Sequence, residues 1–149
     1  MAHAFYSEIN LHLVWHTKHN HPLLTPKTEP IVHRQLRQKV FSLPGVFFHE
    51  VGGTEDHVHL VLSILPTVLI SDLVGQLKGG AAHDANVLLG AGENRVAWQT
   101  GYGVVSFGTR DLQWVVRYVQ RQKEHHRTGE TQARLEQITS NEGAPGARP

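Results

Sequence analysis

The chain reads as an α+β protein of the ferredoxin-like, split βαβ type: an antiparallel sheet with helices on one face, followed by a further C-terminal helix. Three observations predict this. Apolar alternation marks strand-like runs at 5–15 and 57–65. Apolar residues recur at helical spacing in three separate stretches. A Gly52-Gly53 turn separates two adjacent strand-like runs.

Phe5 to Trp15 alternates, with Ile9, Leu11, Leu13 and Trp15 on one face and Asn10 and His12 on the other, as in a half-buried strand. Thr25-Pro26 then opens a helix with proline in its first turn, and Ile31, Leu36, Val40 and Phe41 form its apolar stripe. Leu43-Pro44-Gly45 ends it. Val46–Val51 and His57–Leu65 read as strands joined in a hairpin across Gly52 to Asp56. Ser71 is placed to cap a second helix that buries Leu73, Val74 and Leu77 and runs to about Leu88, weakened by Gly79-Gly80. Gly90 to Asn94 reads as a loop, and Val96 to Phe107 as a fourth strand bent at its glycines. Thr109 caps a last helix expected to run to about His126, with Leu112, Val115, Val116 and Val119 inward.

The order is therefore β-α-β-β-α-β-α, in one domain over residues 1–127. Residues 128–149 are polar and expected to form a flexible tail, with a short helix around Ala133 to Ile138. The 149 residues suffice for one core. No apolar run is long enough to span a bilayer, and the first residues lack the pattern of a secretory signal. With no cysteine there is neither a disulfide framework nor a thiolate metal site. A cytoplasmic location is the default expectation. Fourteen Lys and Arg against thirteen Asp and Glu announce no polyanion partner. The distribution does more: Arg110, Arg117, Arg121, Lys123 and Arg127 face only Asp111 and Glu124 in the last helix. A solvated helix face has the same look.

His57-Val58-His59 lies within a strand, where side chains two apart share a face. Val58, Leu60, Leu62 and Ile64 make the opposite face wholly apolar. Two adjacent imidazoles can hold a divalent metal, although two solvent-facing histidines would give the same pattern. Val61 stands where a histidine-triad hydrolase would carry a third histidine, and a zinc hydrolase would need a third ligand from elsewhere.

On the last helix, Tyr118 and Gln122 are four residues apart and so share a face. The carboxamide oxygen is a hard, neutral ligand for Mg²⁺ or Mn²⁺, and the phenol is a potential nucleophile. A free tyrosine, with a pKa of about 10, is ionised in only about one molecule in a thousand at neutral pH. A metal on the scissile phosphate offsets that weakness by stabilising developing charge. Taken alone, Tyr118 also reads as a packing residue.

Five blocks in order give these motifs a context: Leu11 to Trp15 with Thr17-Lys18, Asp56 to Leu60, Leu77-Lys78-Gly79, Trp98 to Gly103, and Tyr118 to Gln122 with His125-His126. Over about Ile9 to His126 the chain resembles the single-tyrosine HUH transposases of small insertion sequences and their repeat-associated relatives. That resemblance implies that His57, His59 and Gln122 bind Mg²⁺ or Mn²⁺. It implies that Tyr118 attacks single-stranded DNA to give a 5′-phosphotyrosine and a free 3′-hydroxyl, which a second 3′-hydroxyl reverses. It further implies a homodimer that recognises hairpins at element ends, with active sites that can be shared between subunits. Lys18, Lys78, Arg117 and Arg121 are candidates for phosphate contact. Two other readings fit some of the residues: a relative that binds hairpin DNA without mobilising it, and a small-molecule zinc hydrolase. The glutamine ligand, and the absence of an obvious glutamate general base near the histidine pair, weigh against the hydrolase.

Overall fold

A computed structural model describes residues 5–90, 92 and 95–138. Its elements are β1 (Asn10–His16), α1 (Thr28–Ser42), β2 (Val46–Gly53), β3 (His57–Ile64), α2 (Ile70–Leu89), β4 (Gly103–Phe107), α3 (Leu112–Gln120), α4 (Gln122–Thr128) and α5 (Ala133–Glu136). The four strands form one sheet in the order β2-β3-β1-β4, antiparallel throughout. This is the expected α+β architecture. Among the described residues no helix is long and apolar enough to cross a membrane.

The register explains how the sheet serves two layers. Leu11, Leu13 and Trp15 pair with Leu62, Leu60 and Val58. These six side chains are buried with Val32, Leu36 and Val40 of α1 and Leu73, Val74 and Leu77 of α2. His12, Val14 and His16 pair with Val61, His59 and His57 on the opposite face. There Val61 packs against Val115 and Val119 of α3. β1 is therefore covered on both sides rather than half buried, and His12 is completely inaccessible.

The helix boundaries have local causes. At the start of α1, Thr25 and Thr28 bond reciprocally: each backbone N–H donates to the other's hydroxyl, at 2.7 and 3.2 Å. That is the logic of a capping box, satisfying two donors with no intrahelical partner. α2 begins one residue before the expected cap. Leu69 occupies the cap position, no side chain caps the helix, and Ser71 already lies inside it. Gly79-Gly80 does not interrupt α2; a β-carbon on Gly80 would meet Lys39 Cε at 2.2 Å, so the glycine admits the α1 side chain.

The fourth strand is much shorter than the expected 96–107. Trp98 makes only an isolated bridge with Thr17. Trp98 Nε1–H donates to the Lys78 carbonyl at 2.8 Å, and the Lys78 ammonium donates to the carbonyls of Gln99 and Gly101 at 2.8 and 2.9 Å. These bonds tie the segment to α2, and Gly101 turns the chain at φ +101° before β4 starts. Part of the expected 90–94 loop lies outside the described residues.

The last helix also departs from expectation. It divides at Arg121, whose φ −106° and ψ 24° are not helical. α4 ends at Gly129, in the left-handed region at φ 78°, where the chain reverses. The tail expected from residue 128 is docked as far as the structure describes it: Leu135 is buried, and Arg134 donates to the Ser106 carbonyl at 2.8 Å. Residues 139–149 lie outside the described residues.

Candidate metal and tyrosine site

The strand alternation of β3 puts His57 and His59 on the face covered by α3, α4 and α5. They are 3% and 0% exposed, which excludes two solvent-facing histidines. Each ring is fixed from behind. His57 Nδ1–H donates to Asp56 Oδ1 at 2.7 Å, and the Thr54 hydroxyl donates to the same carboxylate oxygen at 3.1 Å. A carboxylate behind an imidazole holds its tautomer and orientation, leaving Nε2 to face the centre. Behind His59 stands His12, with its Nε2 at 2.6 Å from His59 Nδ1. His16 stacks on His57, with ring centroids 5.0 Å apart and planes 18° from parallel.

From the helical side come Gln122 and His126. Gln122 Oε1 lies 3.2 Å from His57 Nε2 and 3.1 Å from His126 Nε2. The break at Arg121 makes Gln122 the first residue of α4, where it is 1% exposed. Tyr118, on the last turns of α3, is 3% exposed and stands edge-on to His59 at 6.1 Å between centroids. Its ring is stacked between Trp114 and His125, at 5.7 and 4.8 Å.

Glu136 on α5 completes the cluster. Its Oε1 lies 3.1 Å from His59 Nε2, 3.4 Å from His57 Nε2 and 3.3 Å from His126 Nε2. Its Oε2 accepts the hydroxyl of Tyr118, whose oxygen in turn accepts the Gln132 N–H at 2.9 Å. The donor atoms of His57, His59, His126 and Glu136 all fall within 4.8 Å of one another. Imidazole nitrogens, a carboxylate oxygen and the neighbouring carboxamide oxygen suit a divalent cation. The site residues therefore fit a metal.

The electrostatics follow from burial and from the carboxylates. Burial pushes the imidazoliums of His12 and His59 down to about 3 and about 4. Burial also works against charge on His57, but hydrogen bonds to Glu136 and Asp56 raise it above the usual histidine range. Glu136 is opposed by burial and yet held well below the usual carboxylate range by His57 and His59. Burial, with its bond to Glu136, pushes Tyr118 up to about 12, partly countered by the Gln132 N–H.

The structure thus brings together Tyr118, His57, His59 and Gln122 within one chain. Of the expected DNA contacts, Arg117 and Arg121 are exposed and line a groove of about 590 Å³ beside Tyr118, with Trp114 and His125. Lys18 is exposed in the turn after β1. Lys78 is engaged with the 99–101 backbone instead of facing open solvent. His12, His126 and Glu136 were given no site role from the sequence, although His12 and His126 lie within the blocks that carry the resemblance. Glu136 lies against the histidine pair, where no obvious glutamate base is expected from the sequence.

The family model described as "Transposase IS200 like" matches residues 5–122. Among solved structures, a candidate transposase from Deinococcus radiodurans R1 is similar over 82% of this chain and 96% of that one, with TM-score 0.61 and 22% identity. A REP-associated tyrosine transposase bound to a REP hairpin is similar over 88% of this chain and 75% of that one, with TM-score 0.58 and 13% identity. At these identities both support the fold alone. No curated protein matches the chain.

Proposed function

Since the chain belongs to the IS200-like transposase family, we propose that it cleaves and rejoins single-stranded DNA with Tyr118 as the nucleophile and a divalent ion held by His57, His59 and Gln122. One observation carries this reading: the Tyr118 hydroxyl and the Nε2 atoms of His57 and His59 converge on the same carboxylate, Glu136. A phenol directed toward a cluster of buried metal-binding groups is the arrangement that phosphoryl transfer to tyrosine needs.

In the forward step the Tyr118 oxygen forms a bond to phosphorus and the P–O3′ bond breaks. The phenol proton ends, net, on the leaving 3′-oxygen, and the product is a 5′-phosphotyrosine. A different 3′-hydroxyl then attacks phosphorus, re-forms a phosphodiester and releases the phenol. The bond energy is conserved in the intermediate, so no nucleotide triphosphate is required. Mg²⁺ or Mn²⁺ held by His57, His59 and Gln122 would supply Lewis-acid stabilisation of charge developing on the phosphate oxygens. The chain's own groups do the rest: Trp114 and His125 hold the phenol ring between them, the Gln132 N–H stabilises negative charge on its oxygen, and Arg117 and Arg121 offer cations to the strand.

The proposed substrates are hairpin-bearing ends of a mobile element, aligned by a homodimer. The hairpin-bound similar structure makes such DNA the natural first probe. In this chain the tyrosine already meets its own histidines, so each subunit brings a complete set of groups.

The test uses labelled single-stranded DNA carrying the hairpins that flank the gene. With Mn²⁺ the protein is expected to form a covalent adduct that survives denaturation, and EDTA is expected to prevent it. Hairpin binding without any adduct would replace this reading with the binding-only one.

A further inference from the structure

Building on the metal-dependent reading, we infer that Glu136 is a further protein ligand of the divalent ion, delivered by the docked C-terminal segment, and that the same carboxylate ties the ion to the nucleophile. Ligands at about 2.1 Å from a common ion, placed at right angles, lie about 3.0 Å apart, and somewhat farther in tetrahedral arrangements. Glu136 Oε1 is 3.1 Å from His59 Nε2 and 3.4 Å from His57 Nε2, and Gln122 Oε1 is 3.2 Å from His57 Nε2. These three spacings are those of ligands around a common ion. An ion bound there would replace the direct contacts between these imidazoles and the carboxylate.

Charge supports the same assignment. Two neutral imidazoles and an amide leave both charges of a divalent ion uncompensated in a mostly buried site, whereas one carboxylate removes half of that imbalance. Hard cations such as Mg²⁺ and Mn²⁺ favour oxygen donors. The second oxygen of the carboxylate accepts the Tyr118 hydroxyl, so a ligand bond on one side fixes the phenol's orientation on the other.

The position of Glu136 is built rather than incidental. Leu135 is buried beside it, Arg134 is bonded to β4, and the Gln132 N–H is bonded to Tyr118 itself. Gly103 keeps β4 bare where the segment crosses: a β-carbon there would come within 2.0 Å of the Gln137 carbonyl oxygen.

Mn²⁺ binding to the full-length protein without DNA, followed by the loss of the free-ion EPR signal, tests this. Glu136→Gln keeps the side chain's size and removes its charge. It is expected to weaken Mn²⁺ binding at least tenfold and to add an exchangeable water to the bound ion, read by water-proton relaxation. Glu136→Asp is expected to fall between Gln and the parent, and thermal melts of both variants check the fold. If His59→Ala loses Mn²⁺ while Glu136→Gln binds it like the parent, Glu136 is no ligand and the histidine site stands. If both variants bind Mn²⁺ unchanged, the metal centre itself is misplaced and both readings fall. Tighter binding by Glu136→Gln would mean that the carboxylate competes with the ion, which also overturns the inference.

Discussion

The carbonyl of Val119 lies so close over Gly52 that a β-carbon at position 52 would approach its oxygen to 2.2 Å. The obstacle is backbone, which cannot swing aside as the end of a side chain can. Gly52 thus sets how near α3 can come to the sheet edge, and with it the height of Tyr118 above His57 and His59. Gly52→Ala is expected to push α3 outward and cost about 1–3 kcal/mol, the usual range for overpacking. Urea denaturation reads the stability loss. Adduct formation should fall further than hairpin binding, since the shift acts on the distance between phenol and histidines. An unchanged midpoint with unchanged adduct formation would show that α3 is not seated by this contact.

Tyr118→Phe removes the proposed nucleophile while keeping the ring between Trp114 and His125. No covalent adduct is expected, whereas hairpin binding should change less than about threefold. The lost hydroxyl strands the Gln132 N–H and one Glu136 oxygen, so a destabilisation of about 1–2 kcal/mol should accompany it. An adduct that persists in this variant places the nucleophile elsewhere.

The pattern of what could be read from the sequence has a physical basis. His57 and His59 were legible because a strand's period of two puts them on one face whatever the rest of the fold does. Tyr118 and Gln122 were legible for the parallel reason on a helix, even though the break at Arg121 lay hidden. His12 was not, because its role depends on the β1–β3 register, which pairs Val14 with His59 and lays His12 beside it. Glu136 was further out of reach. Its place depends on the reversal at Gly129 and on the burial of Leu135, and one glutamate in a polar stretch carries no periodic signal.

Trp114 stacks on Tyr118 yet is 49% exposed, and it borders the groove that Arg117 and Arg121 line. An exposed indole on the same groove as two arginines is a surface on which a DNA base can stack while its phosphate is neutralised. Trp114→Ala is expected to weaken binding of single-stranded DNA by about 5- to 150-fold, the equivalent of about 1–3 kcal/mol per stacked base. Arg117→Ala and Arg121→Ala should each lower the dependence of affinity on salt. Fluorescence anisotropy at several salt concentrations measures both effects. Indifference of binding to all three changes would move the strand to another face.

Mn²⁺ should stabilise the folded protein, because the converging donors exist only when sheet and helices are assembled. At about one hundred times the dissociation constant the gain is about 2.7 kcal/mol. Thermal melts with Mn²⁺ and with EDTA read it directly. His57→Ala should abolish the difference between the two melts. A difference that survives in that variant would place the ion at some other site.

Acid should unfold the metal-free protein through its buried histidines. His12 and His59 are neutral in the folded state, with their imidazoliums pushed down to about 3 and about 4, whereas in the unfolded chain both protonate near the ordinary value of 6.5. Between those limits the unfolded chain binds more protons, so stability falls as pH drops below about 6.5 and returns as it rises. Each such histidine contributes a slope of at most about 1.4 kcal/mol per pH unit. His57 acts in the opposite sense, because its carboxylate partners raise it; its contribution is greatest below 6.5 and is lost as pH rises through its folded value. Burial lowers His16, His33 and His49 as well, and these act with His12 and His59 against His57, so the net expectation is loss of stability on acidification. Denaturation in EDTA at pH 7.5 and 5.5 measures the difference, and His12→Asn should make it smaller by removing one titrating group. Greater stability of the parent at pH 5.5 would mean that the His12–His59 pair takes up protons in the folded state and that burial does not keep it neutral.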